Sequence, residues 1–276
     1  MNGENRARWN ANLQELCHKF EEFAVSQSIL VPDCSTWTTS RLADQLPLSH
    51  STSGKNFAYI CASGQLLSMD QLALRGRRPV SPDCPELKLG TTRVVFFYVG
   101  PFRRPNRDYG LLFSSMLEFD NQDRASATPF DSGGLIGDSR PPDPNEPARE
   151  FLLRHELPVP GHRRYLCLAM NALFEKPLDY IDGIKPKMAS PIGLVDKDPR
   201  TWTREVRIPD SVAIRSLHLQ AVFAPKARVA SDPQIEDFFR WCLSQNVDRI
   251  EFESAEDSNF EALRRECLGY IRRKLG

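Results

Sequence analysis

The chain has 276 residues, 41% of them hydrophobic and 26% charged, a balance that supports a packed core and excludes wholesale disorder. Its 36 basic and 36 acidic side chains cancel, so no global field draws it to nucleic acid or an anionic membrane, and such binding needs a local patch. No apolar run approaches about 18 residues, and no basic stretch with an apolar core opens the chain, so the expectation is a soluble, cytoplasmic protein with no membrane partner.

Taken in chain order, Trp9, Leu13, Leu16, Phe20 and Phe23 recur at spacings of three and four and predict an amphipathic helix over 4–27. Leu30 to Pro47 is broken by Pro, Ser, Thr and Asp and reads as a connection with a short helix around 40–45. After a short strand or turn, Phe57, Ile60 and Cys61 share one helical face. Gly64 suits the left-handed position past that helix's end. Residues 75–90 form a loop rich in Pro and Arg. Thr91 to Val99, dense in Val, Phe and Tyr, is the strongest strand of the chain.

Pro101 to Asp108 is a basic turn, and Gly110 to Phe119 reads as a second strand. Asp120 to Glu150 is dominated by Asp, Ser, Gly and Pro and predicts a long surface excursion, a candidate lid. Residues 146–157 suit a helix, and Tyr165 to Phe174 suits a helix or a strand. Short strands are expected at Trp202–Pro209 and Ile214–Phe223. Residues 232–244, 249–253 and 256–274 read as helix, strand and helix, with Asp232 and Pro233 as cap and first position. The expected fold class is α+β, with residues 1–230 as the main domain and 231–276 as a helix-strand-helix segment packed on it.

Most signatures of known chemistry are missing: no phosphate loop, no GxGxxG after a strand, no HExxH, no GxSxG and no EF-hand spacing. Asp131-Ser132-Gly133-Gly134 has the look of a nucleophile elbow but lacks a preceding apolar strand and reads as a flexible turn. The seven cysteines are odd in number and form no CxxC pair, which points to reduced, mostly buried thiols and to no metal site. Cys34 paired with a histidine is the alternative nucleophile.

Three segments in a fixed order carry a resemblance. They are His50-Ser51-Thr52 followed by a short helix and Gly64, Arg93 to Gly100 with Tyr98 near its end, and Thr203-Arg204-Glu205-Val206-Arg207. Together, over roughly residues 48–223, they resemble ADP-ribosyltransferases of the H-Y-E type, the branch that is diphtheria-toxin-like, poly(ADP-ribose)-polymerase-like or DNA-modifying. The resemblance implies a split, antiparallel-rich sheet with helices at both ends of the chain, and NAD as co-substrate without a metal. It implies His50, Ser51 and Thr52 on the nicotinamide ribose and carboxamide, Tyr98 stacked on nicotinamide, and Glu205 as the catalytic acid. Arg103 or Arg104 would meet the pyrophosphate, since guanidinium forks match phosphate oxygens.

Thr203 and Arg204 precede Glu205, so the paired glutamates of arginine-directed transferases are absent and a nucleic acid or another protein side chain is implied as acceptor. The same resemblance implies a toxin or defence effector with an inhibitory partner protein. Each residue also has a commoner role: His50 as a cap or loop residue, Tyr98 as a core aromatic and Glu205 as a surface ion-pair partner. A non-catalytic interaction or regulatory module is therefore the competing reading, with a Cys- or Ser-dependent hydrolase third.

Overall fold

Among the described residues of the computed structural model, eight strands form one sheet, in the order β10-β9-β4-β1-β3-β7-β5-β6. The structure describes residues 3–29, 42–76, 81–103, 107–115, 124–137, 140–194, 199–253 and 259–275. Cys34 and Arg104, both singled out above, lie outside the described residues. The strands are β1 (Pro47–Thr52), β3 (Val94–Val99), β4 (Tyr109–Ser115), β5 (Ser126–Thr128), β6 (Leu157–Pro158), β7 (Glu205–Pro209), β9 (Leu219–Pro225) and β10 (Asp248–Phe252). Two more, β2 (Gln65–Leu67) and β8 (Ser211–Ala213), make a separate antiparallel pair. The fold is α+β, with a mostly antiparallel sheet and helices at both ends of the chain, Gly3–Ser26 and Asn259–Leu275.

The middle of the sheet is split. β1 pairs with β4 along its whole length, from Pro47 opposite Ser115 to Thr52 opposite Tyr109. With β3 it pairs only at Leu48↔Val99 and Ser49↔Tyr98, after which the two strands part. β3 then continues its ladder with β7 over five residue pairs. The backbone carbonyl of Phe96, beyond the last β1–β3 pair, is met instead by the His50 ring, whose Nδ1 lies 2.9 Å from it. A polar backbone group at a parted ladder needs such a partner, and here the partner is a candidate site residue.

One face of the sheet carries Leu48, Phe97, Val99, Leu111, Phe113 and Val206, all fully buried. The helices Gly3–Ser26 and Val159–Leu173 pack against one another in the core, with Phe20 edge-on to Tyr165 at 5.2 Å. Tyr165 to Phe174, which suited helix or strand, falls within that second helix and its end cap. The helix Gly54–Ser63 ends as its sequence implied: Gly64 takes φ 64° and its N–H reaches the Ile60 carbonyl.

The 120–150 region differs from expectation. Within the 120–150 excursion, Ser126–Thr128 is a buried strand inserted between β7 and β6, and Ala125, Phe130 and Leu135 are buried beside it. Three small residues in a polar stretch show no periodicity, and they are held by their neighbours rather than by their own propensity. Residues 124–137 are thus packed structure and not a loose lid. At the other end, the helix Pro233–Ser244 is a crossover that lets β10 pair in parallel with β9. The segment after residue 230 therefore extends the same sheet. Its capping is as expected, with Asp232 accepting from the N–H groups of Gln234 and Ile235.

Candidate active site

β3 and β7 run antiparallel with Tyr98 directly opposite Glu205, so the two side chains rise from the same face of the sheet as neighbours. Thr128 of β5 is opposite Glu205 on its other side. Sheet order alone brings together residues more than a hundred positions apart. Glu205 is only 1% exposed and is not a surface ion-pair residue. Its Oε1 accepts a hydrogen bond from the Ser132 hydroxyl at 2.8 Å.

The obvious counter-charge is mostly engaged elsewhere. Arg207, two residues along β7, donates to Glu156 at 2.9 Å and approaches Glu205 only to 3.8 Å. Glu156 also accepts from Arg8 at 2.6 Å and from the Trp9 indole at 3.0 Å. The N-terminal helix thus holds the carboxylate that draws Arg207 away from Glu205. Burial, followed by the charge of Asp131, pushes the Glu205 carboxyl up to about 8, against the pull of Arg207 and Ser132. Such a group is a proton donor or acceptor near neutrality.

Asp131 is fixed on three sides. Its Oδ1 accepts from the Gly133 N–H at 2.9 Å, its Oδ2 from the Tyr98 hydroxyl at 3.2 Å, and its own N–H bonds the Arg200 carbonyl at 2.9 Å. It caps the short helical turn Ser132–Ile136, which places the Ser132 hydroxyl on Glu205. The sequence read this DSGG run as a flexible turn, and the structure corrects that. An Asp followed two residues later by Gly is a capping signal, but nothing in the sequence says that the capped turn lies over β7.

Tyr98 lines two adjoining cavities, a larger one of about 770 Å³ and a smaller one of about 120 Å³, together with Glu86, Phe96 and Arg107. The larger holds Glu205, Asp131 and Ser132, and is flanked by Arg103, Arg200 and Arg264. The smaller holds His50, Ser51, Thr52, Asn56 and Tyr59, between β1 and the helix Gly54–Ser63. A cleft of this size with a few convergent polar groups is the usual form of a small-molecule site. Among the described residues, the buried Ser51 hydroxyl has no hydrogen-bond partner. Among the described residues no histidine or cysteine shares the wall of the larger cavity with Ser132, so a Ser- or Cys-based nucleophilic pair finds no support there.

No protein family and no curated protein sequence matches the chain. Among solved structures it is similar to Thermus sp. 2.9 DarT in complex with ADP-ribosylated ssDNA, at 12% sequence identity and a TM-score of 0.37, over 75% of this chain and 94% of that one. A likeness of that degree carries no argument about activity, which has to come from the site itself. Among the described residues no helix is long and apolar enough to cross a membrane.

Proposed function

We propose that the chain transfers ADP-ribose from NAD to a macromolecular acceptor, with Glu205 as the catalytic carboxylate. The observation that carries this reading is the placement of a fully buried glutamate directly across a strand ladder from Tyr98, on the wall of a cleft that continues to His50. The residues fit a dinucleotide: an aromatic ring at the narrowing, a carboxyl at one side, unpartnered hydroxyl chemistry at Ser51, and arginines around the larger cavity.

NAD supplies a ribose whose bond to nicotinamide breaks with positive charge building on the sugar. A carboxylate held beside that charge in a water-poor cleft lowers the barrier electrostatically. Glu205 therefore has to be ionised at that moment, and Ser132 and Arg207 are the groups that favour its charged form. Tyr98 offers its ring to a planar amide-bearing heterocycle, while its hydroxyl is anchored on Asp131. His50 stays oriented through the Phe96 carbonyl.

Thr203 lines the larger cavity, two residues before Glu205. Arg204 points the other way, wholly buried, with its guanidinium bonded to the Pro129 carbonyl and lying over the Tyr165 ring. With no carboxylate at either position, the strand lacks the paired glutamates of arginine-directed transferases, which favours a nucleic acid or another protein side chain. Incubation with NAD, followed by nicotinamide release in the presence of oligonucleotides or protein substrates, tests the proposal. Release by the native chain and its loss in Glu205→Gln are expected.

A further inference from the structure

The wall of the larger cavity includes Arg103, which follows β3, and Arg264 from the C-terminal helix Asn259–Leu275. Both guanidinium groups crowd Gly183, which closes the helix Pro177–Asp182 with φ 72°. A Cβ at residue 183 would lie 2.5 Å from Arg103 Nη1 and 2.5 Å from Arg264 Nη2. The two nitrogens are therefore within about 5 Å of one another, a separation at which like charges repel unless an anion lies between them.

Among the described residues, their protein partners do not neutralise them. Arg103 donates to the Tyr180 carbonyl and lies over the Tyr180 ring at 5.5 Å, while its buried Nε has no hydrogen-bond partner among the described residues. Arg264 donates to the Asp182 carbonyl at 2.9 Å and has one loose contact, 3.9 Å, with the exposed Glu261. The Asp182 carboxylate itself is taken by Arg272 at 2.6 Å. Burial, and behind it the charge of Arg264, pulls the Arg103 guanidinium below the usual arginine range. A half-buried fork with a buried, unused Nε donor, facing a second fork across a glycine, matches the oxygens of adjoining phosphoryl groups.

We infer that Arg103 and Arg264 form a diphosphate-binding subsite over Gly183, so that the C-terminal helix completes the ligand cleft. The inference rests on the proposed NAD site for its ligand, a dinucleotide diphosphate, and extends that site to a segment that lies outside the 48–223 resemblance. The phosphodiester of a nucleic acid shares the same chemistry, and the test separates the two.

The test is calorimetric titration of the full chain with ADP-ribose, inorganic pyrophosphate, adenosine and a single-stranded oligonucleotide, repeated on Arg264→Gln and on the exposed-helix control Arg265→Gln. Arg264→Gln is expected to weaken ADP-ribose and pyrophosphate by roughly 10- to 100-fold, the loss of charge-assisted bonds to a phosphate. Adenosine affinity and the melting temperature should hold, and Arg265→Gln should match the native chain. Gly183→Ala, which pushes into both guanidinium groups, should weaken the same two ligands.

ADP-ribose affinity unchanged in Arg264→Gln overturns the subsite while leaving the transferase reading intact. Arg264-dependent binding of pyrophosphate alone, with no binding of ADP-ribose, keeps the anion site and removes the NAD reading. Arg264-dependence confined to the oligonucleotide overturns the dinucleotide assignment, and failure of the native chain to bind either pyrophosphate or ADP-ribose overturns both.

Discussion

The Ser132 hydroxyl donates to the Glu205 carboxylate at 2.8 Å, joining a capped turn to a central strand 73 positions away. The bond is made to the charged form and so favours it, against burial that disfavours it. Ser132→Ala should push the Glu205 carboxyl still higher and shift the alkaline-going limb of the kcat/KM profile to higher pH. Near neutrality the rate should fall by roughly tenfold, with little change in stability. A pH–rate profile of the variant superimposing on that of the native chain would show that Ser132 does not tune Glu205.

Activity and stability should respond to pH in opposite directions. The folded chain holds the Glu205 proton up to about 8, whereas the ordinary carboxyl value is 4.5. Its contribution to stability is therefore full below about pH 4.5 and is lost as the pH rises through about 8. Catalysis needs the ionised form, so kcat/KM should climb over the same window. Differential scanning calorimetry should find Glu205→Gln melting above the native chain at pH 9, with the gap closing toward pH 5. An equal gap at both ends would mean that Glu205 is ionised throughout.

Tyr98 carries two separable functions. Tyr98→Ala removes the ring and should weaken NAD binding by roughly three- to tenfold, in line with the worth of an aromatic stack. Tyr98→Phe keeps the ring and loses the 3.2 Å bond to Asp131, so affinity should hold while the freed Asp131 changes the pH profile. Equilibrium binding measured beside turnover distinguishes the two.

Phe130 supports the turn that carries Asp131 and Ser132. It is fully buried against Phe151 at 5.6 Å and His155 at 5.7 Å. Phe130→Ala should cost about 3–5 kcal/mol in chemical denaturation and depress turnover further than stability alone requires. A stable, fully active variant would return the segment to the surface-loop reading.

How much of this was legible in the sequence depends on the reach of each signal. The N-terminal helix announces itself through Trp9, Leu13, Leu16 and Phe20, and the helix Pro233–Ser244 through its Asp232-Pro233 cap, because local periodicity and capping are local physics. β3 was visible in its Val, Phe and Tyr density. β5 was not, since Ser126, Ala127 and Thr128 have no pattern apart from the strands that flank them. Of the candidate site, the segments carrying His50, Tyr98 and Glu205 could be singled out one at a time. Their adjacency is a product of the order β1-β3-β7, which no segment encodes. Asp131, Ser132 and Arg264 escaped because their meaning comes from what lies across the cleft. Arg264 in particular is one of several arginines on its helix, marked off only by its position over Gly183.

The central claim is that the Glu205 carboxylate acts on charge that exists only as the ribose bond breaks. Its most direct test is single-turnover nicotinamide release by Glu205→Gln, measured beside NAD affinity. The swap keeps shape and removes charge, so release should slow by roughly two to four powers of ten while NAD affinity stays within about threefold. Nicotinamide release at the native rate from folded Glu205→Gln would contradict it.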